Sequence, residues 1–181
     1  MASVFRLVAL IPPGSVQSEI GRLQGELFRR FGWVSSQALP PLIPVRFIGP
    51  PGSDRALLDR LDAVAKAPWR MTTRRLAWIE GHLFLGIDSN GAWAALREEA
   101  RAGPGDQPPG LFPVAEGFFL GCGEASTDRE TAAATDSPAP AFSSCAIAVM
   151  EIESPCPLAE WWREVYWEVR EQKPFRGRRE S

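Results

Sequence analysis

The chain has 181 residues, a length suited to one domain. Hydrophobic residues make up 45 % and charged residues 23 %, a balance that excludes global disorder. Twenty basic against 22 acidic residues leave a net charge of −2, which supplies no strong long-range pull toward nucleic acid or an anionic membrane. The single histidine, His82, rules out any mechanism that needs two imidazoles from one chain, and with it zinc sites built on two or more histidines.

Sixteen Gly and 17 Pro predict many turns and short elements, and seven Trp predict an aromatic-rich core or cleft. Cys122, Cys145 and Cys156 contain no C-x-x-C pair and are odd in number. They are expected to be reduced thiols in a cytoplasmic protein. The opening run is short, is broken by Arg6 and meets Pro12-Pro13-Gly14, unlike a secretion signal. No apolar stretch approaches the roughly 20 residues of a membrane helix, so no membrane contact is expected.

In chain order, Phe5 to Ile11 reads as a buried strand closed by Pro12-Pro13-Gly14. Ser15 offers a helix cap, and Val16, Ile20, Leu23, Leu27 and Phe31 mark one helix face before Gly32. Leu42 to Ile48 is a second strand. Pro44 lacks an amide donor, which predicts an edge or an irregularity there. Ser53-Asp54 starts a helix carrying Leu57, Leu58, Leu61 and Val64 inward. Arg70 to Ile87 reads as a hairpin turning at Glu80-Gly81, and Asp88-Ser89-Asn90 caps a third helix bearing Trp93, Leu96 and Ala100.

Residues 103–113 form a Pro/Gly-rich connection within a single domain of two halves. Gly117 to Gly121 is a short strand. Residues 124–141 lack any apolar period and are expected to be a mobile loop. Cys145 to Ile152 is an apolar strand. Trp161 to Val169 fits either a strand or a helix face, and 173–181 is expected to be a frayed, basic tail. Two strand–helix–strand halves imply an α+β fold.

The order of these elements resembles the 2H phosphoesterases, the superfamily that includes the bacterial 2′-5′ RNA ligase-like (LigT-like) proteins. Phe5 to Pro13 looks like its opening strand. Leu39-Pro40-Pro41-Leu42-Ile43-Pro44-Val45-Arg46-Phe47-Ile48-Gly49 resembles its first signature strand. Glu116 to Gly121 is similar in position to the second signature strand, and Cys145 to Glu153 and Trp162 to Phe175 to the closing ones. The resemblance implies a two-lobed fold of two mainly antiparallel sheets around a central cleft, with helices packed outside. It also favours a strand at Val165 to Val169.

Such proteins carry two His-x-Thr/Ser motifs, with the imidazoles as general acid and base and the hydroxyls on phosphate oxygens. The implied chemistry is hydrolysis of cyclic phosphates or 2′-5′ linkages. Here Leu42 and Pro44 stand at the first motif's positions, and Gly117 and Phe119 at the second's. The sequence therefore points to a degenerate, non-catalytic protein, with no catalytic residue, metal or cofactor assigned. A small apolar ligand or a nucleotide is expected in the former cleft. The rival readings are a cyclic phosphodiesterase or RNA-processing enzyme with a rearranged site using His82, Glu80 or Glu116, and a protein-interaction module.

Other residues weigh toward structural roles. By alternation from Leu42 and Pro44, Arg46 faces the cleft, where its planar donor fork suits a residual anion; a structural ion pair is the rival role, as for Arg6. His82 reads as a solvent-facing turn residue. Cys122 has no basic neighbour in sequence to activate it. In Trp161-Trp162, one ring of a strand pair must point outward and serve as a platform or contact. Arg176-Gly177-Arg178-Arg179 is a solvated terminus, with RNA contact as the minor alternative.

Overall fold

The computed structural model describes residues 2–49, 53–64, 70–102, 111–122, 141–143 and 145–175. Among the described residues, seven strands and three α-helices follow one another as β1 (Ser3–Ile11), α1 (Gly14–Phe31), β2 (Ile43–Ile48), α2 (Asp54–Val64), β3 (Thr72–Ile79), β4 (His82–Asp88), α3 (Ala92–Glu99), β5 (Gly117–Cys122), β6 (Cys145–Ser154) and β7 (Tyr166–Phe175). Short 3-10 turns cover Val34–Gln37, Ala100–Ala102 and Leu158–Arg163. The strands form a four-stranded sheet in the order β2-β1-β6-β7 and a three-stranded sheet in the order β3-β4-β5. Every pairing is antiparallel. The architecture is α+β.

Side-chain alternation divides each sheet into two faces. Val8 and Leu10 of β1, Ile43 and Val45 of β2, Leu83, Leu85 and Ile87 of β4, and Phe118 and Leu120 of β5 share one apolar core with the helices. Val16, Ile20, Leu23 and Leu27 recur at steps of three and four, so α1 presents one continuous stripe to this core. α2 contributes Leu58 and Leu61, and α3 contributes Trp93 and Leu96. The opposite faces carry Phe5, Leu7, Ala9 and Phe47 from the larger sheet and Phe84 and Phe119 from the smaller, in a second cluster. That cluster lies on the side turned away from the helices.

Turn chemistry explains the boundaries. Gly32 ends α1 in the left-handed region at φ 71°, and its N–H donates to Phe28 O at 2.8 Å. Glu80 and Gly81, at φ 49° and 80°, give the β3–β4 hairpin its tight turn. Ser89 Oγ accepts the Trp93 N–H at 3.0 Å, satisfying an otherwise orphan donor at the start of α3.

Several expectations change. α1 starts at Gly14 after Pro13, with no side-chain cap, rather than at a Ser15 cap. Trp161 and Trp162 sit on the 3-10 turn Leu158–Arg163, not on a strand, and β7 begins after it. Residues 173–175 belong to β7 and not to a frayed tail, because Lys173 Nζ reaches Asp59 at 2.8 Å and Asp62 at 3.0 Å on α2, and Phe175 is buried. Residues 176–181, 123–140 and 103–110 lie outside the described residues, so the mobile-loop and tail expectations are not addressed there. Among the described residues no helix is long and apolar enough to cross a membrane.

Candidate functional site between the two sheets

The two signature-like strands meet. β2 is an edge of the larger sheet and β5 an edge of the smaller. The Phe119 N–H donates to Leu42 O at 3.3 Å, joining one edge to the other. α1 braces this junction: buried Gln24 Nε2 donates to Leu39 O at 3.4 Å and Phe119 O at 3.3 Å. Farther along β5, Ser35 Oγ accepts the Cys122 N–H at 2.9 Å and donates to Cys122 O at 3.1 Å. The hydroxyl thus does for the end of β5 what a neighbouring strand would do.

Apolar and aromatic side chains fill the space beside this junction. Leu42 is 0 % exposed, Phe119 1 % and Phe112 0 %. The Phe112 ring centroid lies 4.7 Å from that of Phe119, 5.3 Å from Phe47 and 5.3 Å from Trp161. Trp161, itself 0 % exposed, continues the cluster to half-buried Trp162 at 6.2 Å. Ring spacings of this kind are those of favourable aromatic pairs. Pro44 and Gly117 are also buried. The Pro44 carbonyl accepts the Trp93 indole N–H at 2.9 Å from the helix side.

Gly117 is confined by backbone. It pairs with Gly86 across β4–β5, and a Cβ built on it falls 2.7 Å from Leu85 O and 3.1 Å from Gly86 Cα. Neither neighbour is the tip of a flexible side chain, so a side chain at residue 117 requires the two strands to part.

Arg46 lies on the other face. β1 pairs Ala9 with Pro44 but Val8 with Arg46, so Val45 is an extra, bulged residue. Directly paired residues share a face, and Val8 belongs to the helix-side core. The bulge therefore turns Arg46 away from the cleft, correcting the simple alternation. Arg6 joins Asp54 of α2 in an ion pair and donates to Gly49 O at 3.0 Å. Its role is to tie β1 to α2.

His82 differs from a solvent-facing turn residue. It is half-buried, and its ring lies 6.1 Å from Phe119. Nδ1 is 2.9 Å from Glu80 O, a carbonyl that only accepts. The neutral ring therefore carries its proton on Nδ1 and leaves Nε2 as the acceptor. Burial lowers its pKa from 6.5, against the smaller opposing effects of the Glu80 carbonyl and carboxylate. β4–β5 register places Cys122 directly across from His82, a neighbour invisible in the sequence. Glu116 is engaged elsewhere: it accepts from Ser89 Oγ at 2.5 Å and from the Ser89 N–H at 3.2 Å. Cys145 is buried, which pushes its thiol up to about 12. Among the described residues no group of three His, Cys, Asp or Glu is placed to hold a metal.

Sequence reasoning missed Phe112. It falls in a connection dominated by Pro and Gly, yet the apolar run Leu111-Phe112 beside Pro113 and Val114 was the available signal. It also left open which tryptophan of the tandem pair points inward, which the 3-10 turn decides for Trp161.

Neither a protein-family model nor a curated protein matches the sequence. Solved structures do match. TT0787 of Thermus thermophilus is similar over 97 % of this chain and 100 % of its own, at 19 % identity and a TM-score of 0.62. A phosphoesterase is similar over 96 % and 99 %, at 12 % identity and a TM-score of 0.61. LigT of E. coli, in its apo form, is similar over 94 % and 96 %, at 12 % identity and a TM-score of 0.51. Near-complete coverage of both partners, with the two antiparallel sheets already described, establishes that this chain has the LigT-like fold.

Proposed function

We infer that this chain is a non-hydrolytic protein of LigT-like fold whose cleft takes the flat, neutral part of a small ligand in place of a reacting phosphate. The observation that carries this reading is Gly117. At the position aligned with the second motif's imidazole a Cβ would lie 2.7 Å from Leu85 O, so the local backbone is built around the absence of a side chain. The other three aligned positions agree. Leu42 and Phe119 are packed apolar side chains and Pro44 has no hydroxyl. No side chain at the four positions donates, accepts or moves a proton. The bulge that turns Arg46 to the helix side removes a cation that alternation would have supplied for an anion. What stands there instead is a packed aromatic cluster with half-buried Trp162 at its edge, a ring suited to flat apolar groups, including the base of a nucleotide.

His82, against Phe119, favours the rival reading of residual acid–base chemistry. One imidazole serves as acid or base, whereas the two-histidine reaction uses both together.

Thermal-shift titrations with 2′,3′-cyclic nucleotides, linear nucleotides and the matching nucleosides test the reading. A ligand that binds only the folded state raises the melting temperature saturably. Nucleosides are expected to raise it as much as their phosphorylated forms. A shift that requires the phosphate contradicts the reading.

A further inference from the structure

We propose that the outer edge of β7 is an interaction surface for a second copy of this chain, the two β7 strands pairing antiparallel with Glu168 opposite Lys173 and Arg170 opposite Glu171. β7 ends the four-stranded sheet, and among the described residues no strand lies beyond it. Its outer backbone N–H and C=O groups therefore form a template for an added strand. Three exposed large apolar side chains stand on it: Tyr166 at 60 % exposure, Trp167 at 44 % and Val169 at 40 %.

The order of charges names the occupant. Along Tyr166-Trp167-Glu168-Val169-Arg170-Glu171-Gln172-Lys173-Pro174-Phe175 the signs alternate as minus, plus, minus, plus. Two copies related by a twofold axis, with Tyr166 against Phe175, bring every charge opposite one of the other sign. Slipping the strands by one or two residues in either direction loses this. It sets Arg170 against Arg170, Glu171 against Glu171, Glu168 against Glu171, or Arg170 against Lys173, and like charges directly opposite are destabilising. Lys173, Pro174 and the bulge at Arg170 discourage pairing with an arbitrary strand, which narrows the occupant to one of matching charge order.

The faces agree as well. Val169 and Gln172 pair with Met150 and Ala148 of the cleft-side cluster. Lys173 pairs with Ile147 of the helix-side core, and Glu168 pairs with Glu151, which pairs with Arg6, the residue tied to α2. The proposed register thus sets cleft side on cleft side and helix side on helix side. Within one copy Glu168 already holds Arg170, Glu171 holds Arg55, and Lys173 holds Asp59 and Asp62. Exposed ion pairs contribute little each, so across the edge the charges choose the register and the main-chain hydrogen bonds carry the affinity. β3, the outer strand of the smaller sheet, is the contrast: Arg74 and Arg75 are its only charges, so it offers a second copy no opposite charge.

The test is sedimentation equilibrium of the full chain from about 1 μM to about 1 mM, spanning the Kd on the order of 10–100 μM expected of an interface built on one strand edge. Wild type should pass from monomer to dimer, and amide exchange should slow with concentration in β7 but not in β3. Arg170→Glu and Glu171→Arg should each weaken association at least about tenfold, because each sets like charges opposite one another twice. Mixed in equal amounts, the two variants should associate as wild type does, since each supplies the charge the other lacks. A wild type that stays monomeric throughout overturns the proposal, whether β7 is bare or covered by other residues of the chain. A dimer whose β7 exchange is indifferent to concentration, or that both variants retain, also overturns it by placing the interface elsewhere. So does a mixture that stays monomeric while both variants keep the wild-type melting temperature. Where a variant melts lower, the β7 exchange of wild type decides.

Discussion

His82 shows how little of a residue's chemistry is set by its type. In sequence it follows a Glu-Gly turn and reads as solvent-facing. In the fold it is half-buried against Phe119, with Nδ1 held by the Glu80 carbonyl. Burial lowers its folded-state pKa below 6.5. As pH falls, the unfolded chain takes up this proton before the folded chain does. Protonation therefore favours unfolding: the neutral ring's contribution is present above about pH 6.5 and is lost below it. Urea unfolding at pH 8 and pH 5 should show a larger acid-side loss of stability in wild type than in His82→Gln. Equal losses in the two proteins would place the imidazole in an environment no different from the unfolded chain. Because the chain has one histidine, its single imidazole signal reads the same titration directly.

Strand pairing explains which parts of the site could be read in advance. Pro44 announced an irregular edge strand because a missing N–H is a property of the residue itself, and β2 is an edge strand with a register shift next to Pro44. The bulge at Val45 was not legible. Alternation counts residues on one strand, whereas a bulge is defined by the partner, here Val8 and Ala9. One inserted residue was enough to move Arg46 to the opposite face. Phe112 was hidden by its neighbours' composition; the strand at Val165 to Val169 was favoured by the resemblance, but its extension to Phe175 was hidden by polar sequence. Lys173 is fixed by Asp59 and Asp62 on α2, far away in the chain. The Gly86–Gly117 pair is the element-scale feature with the sharpest consequence. Gly117→Ala should destabilise the protein by about 1–3 kcal/mol, the usual cost of overpacking against something that cannot yield. Gly25→Ala on α1, where a Cβ meets nothing within 4 Å, is the comparison and should not lose stability. Denaturant midpoints of the two variants decide the matter, and an unchanged midpoint for Gly117→Ala would mean that β4 and β5 part easily.

At the scale of the molecule, two sheets share one helix-side core and meet at the β2–β5 junction, in a fold similar overall to that of E. coli LigT. That frame was legible from the order of elements because it depends on where apolar runs, turns and caps fall, not on the identity of any one side chain. The site was less legible because its character depends on packing across the junction: Phe112, Phe119 and Trp161 come from three separate parts of the chain. The same fold can hold or lack a catalytic centre, since function resides in the residues placed on it. In this chain the aligned positions carry Leu42, Pro44, Gly117 and Phe119, and the one histidine stands on a neighbouring strand. The most direct measurement is turnover: purified protein incubated with 2′,3′-cyclic nucleotides and assayed for opened monophosphates. The account predicts no hydrolysis above that of a Leu42→Ala control. Steady turnover that scales with protein concentration and disappears in His82→Gln would contradict it and establish a rearranged active site.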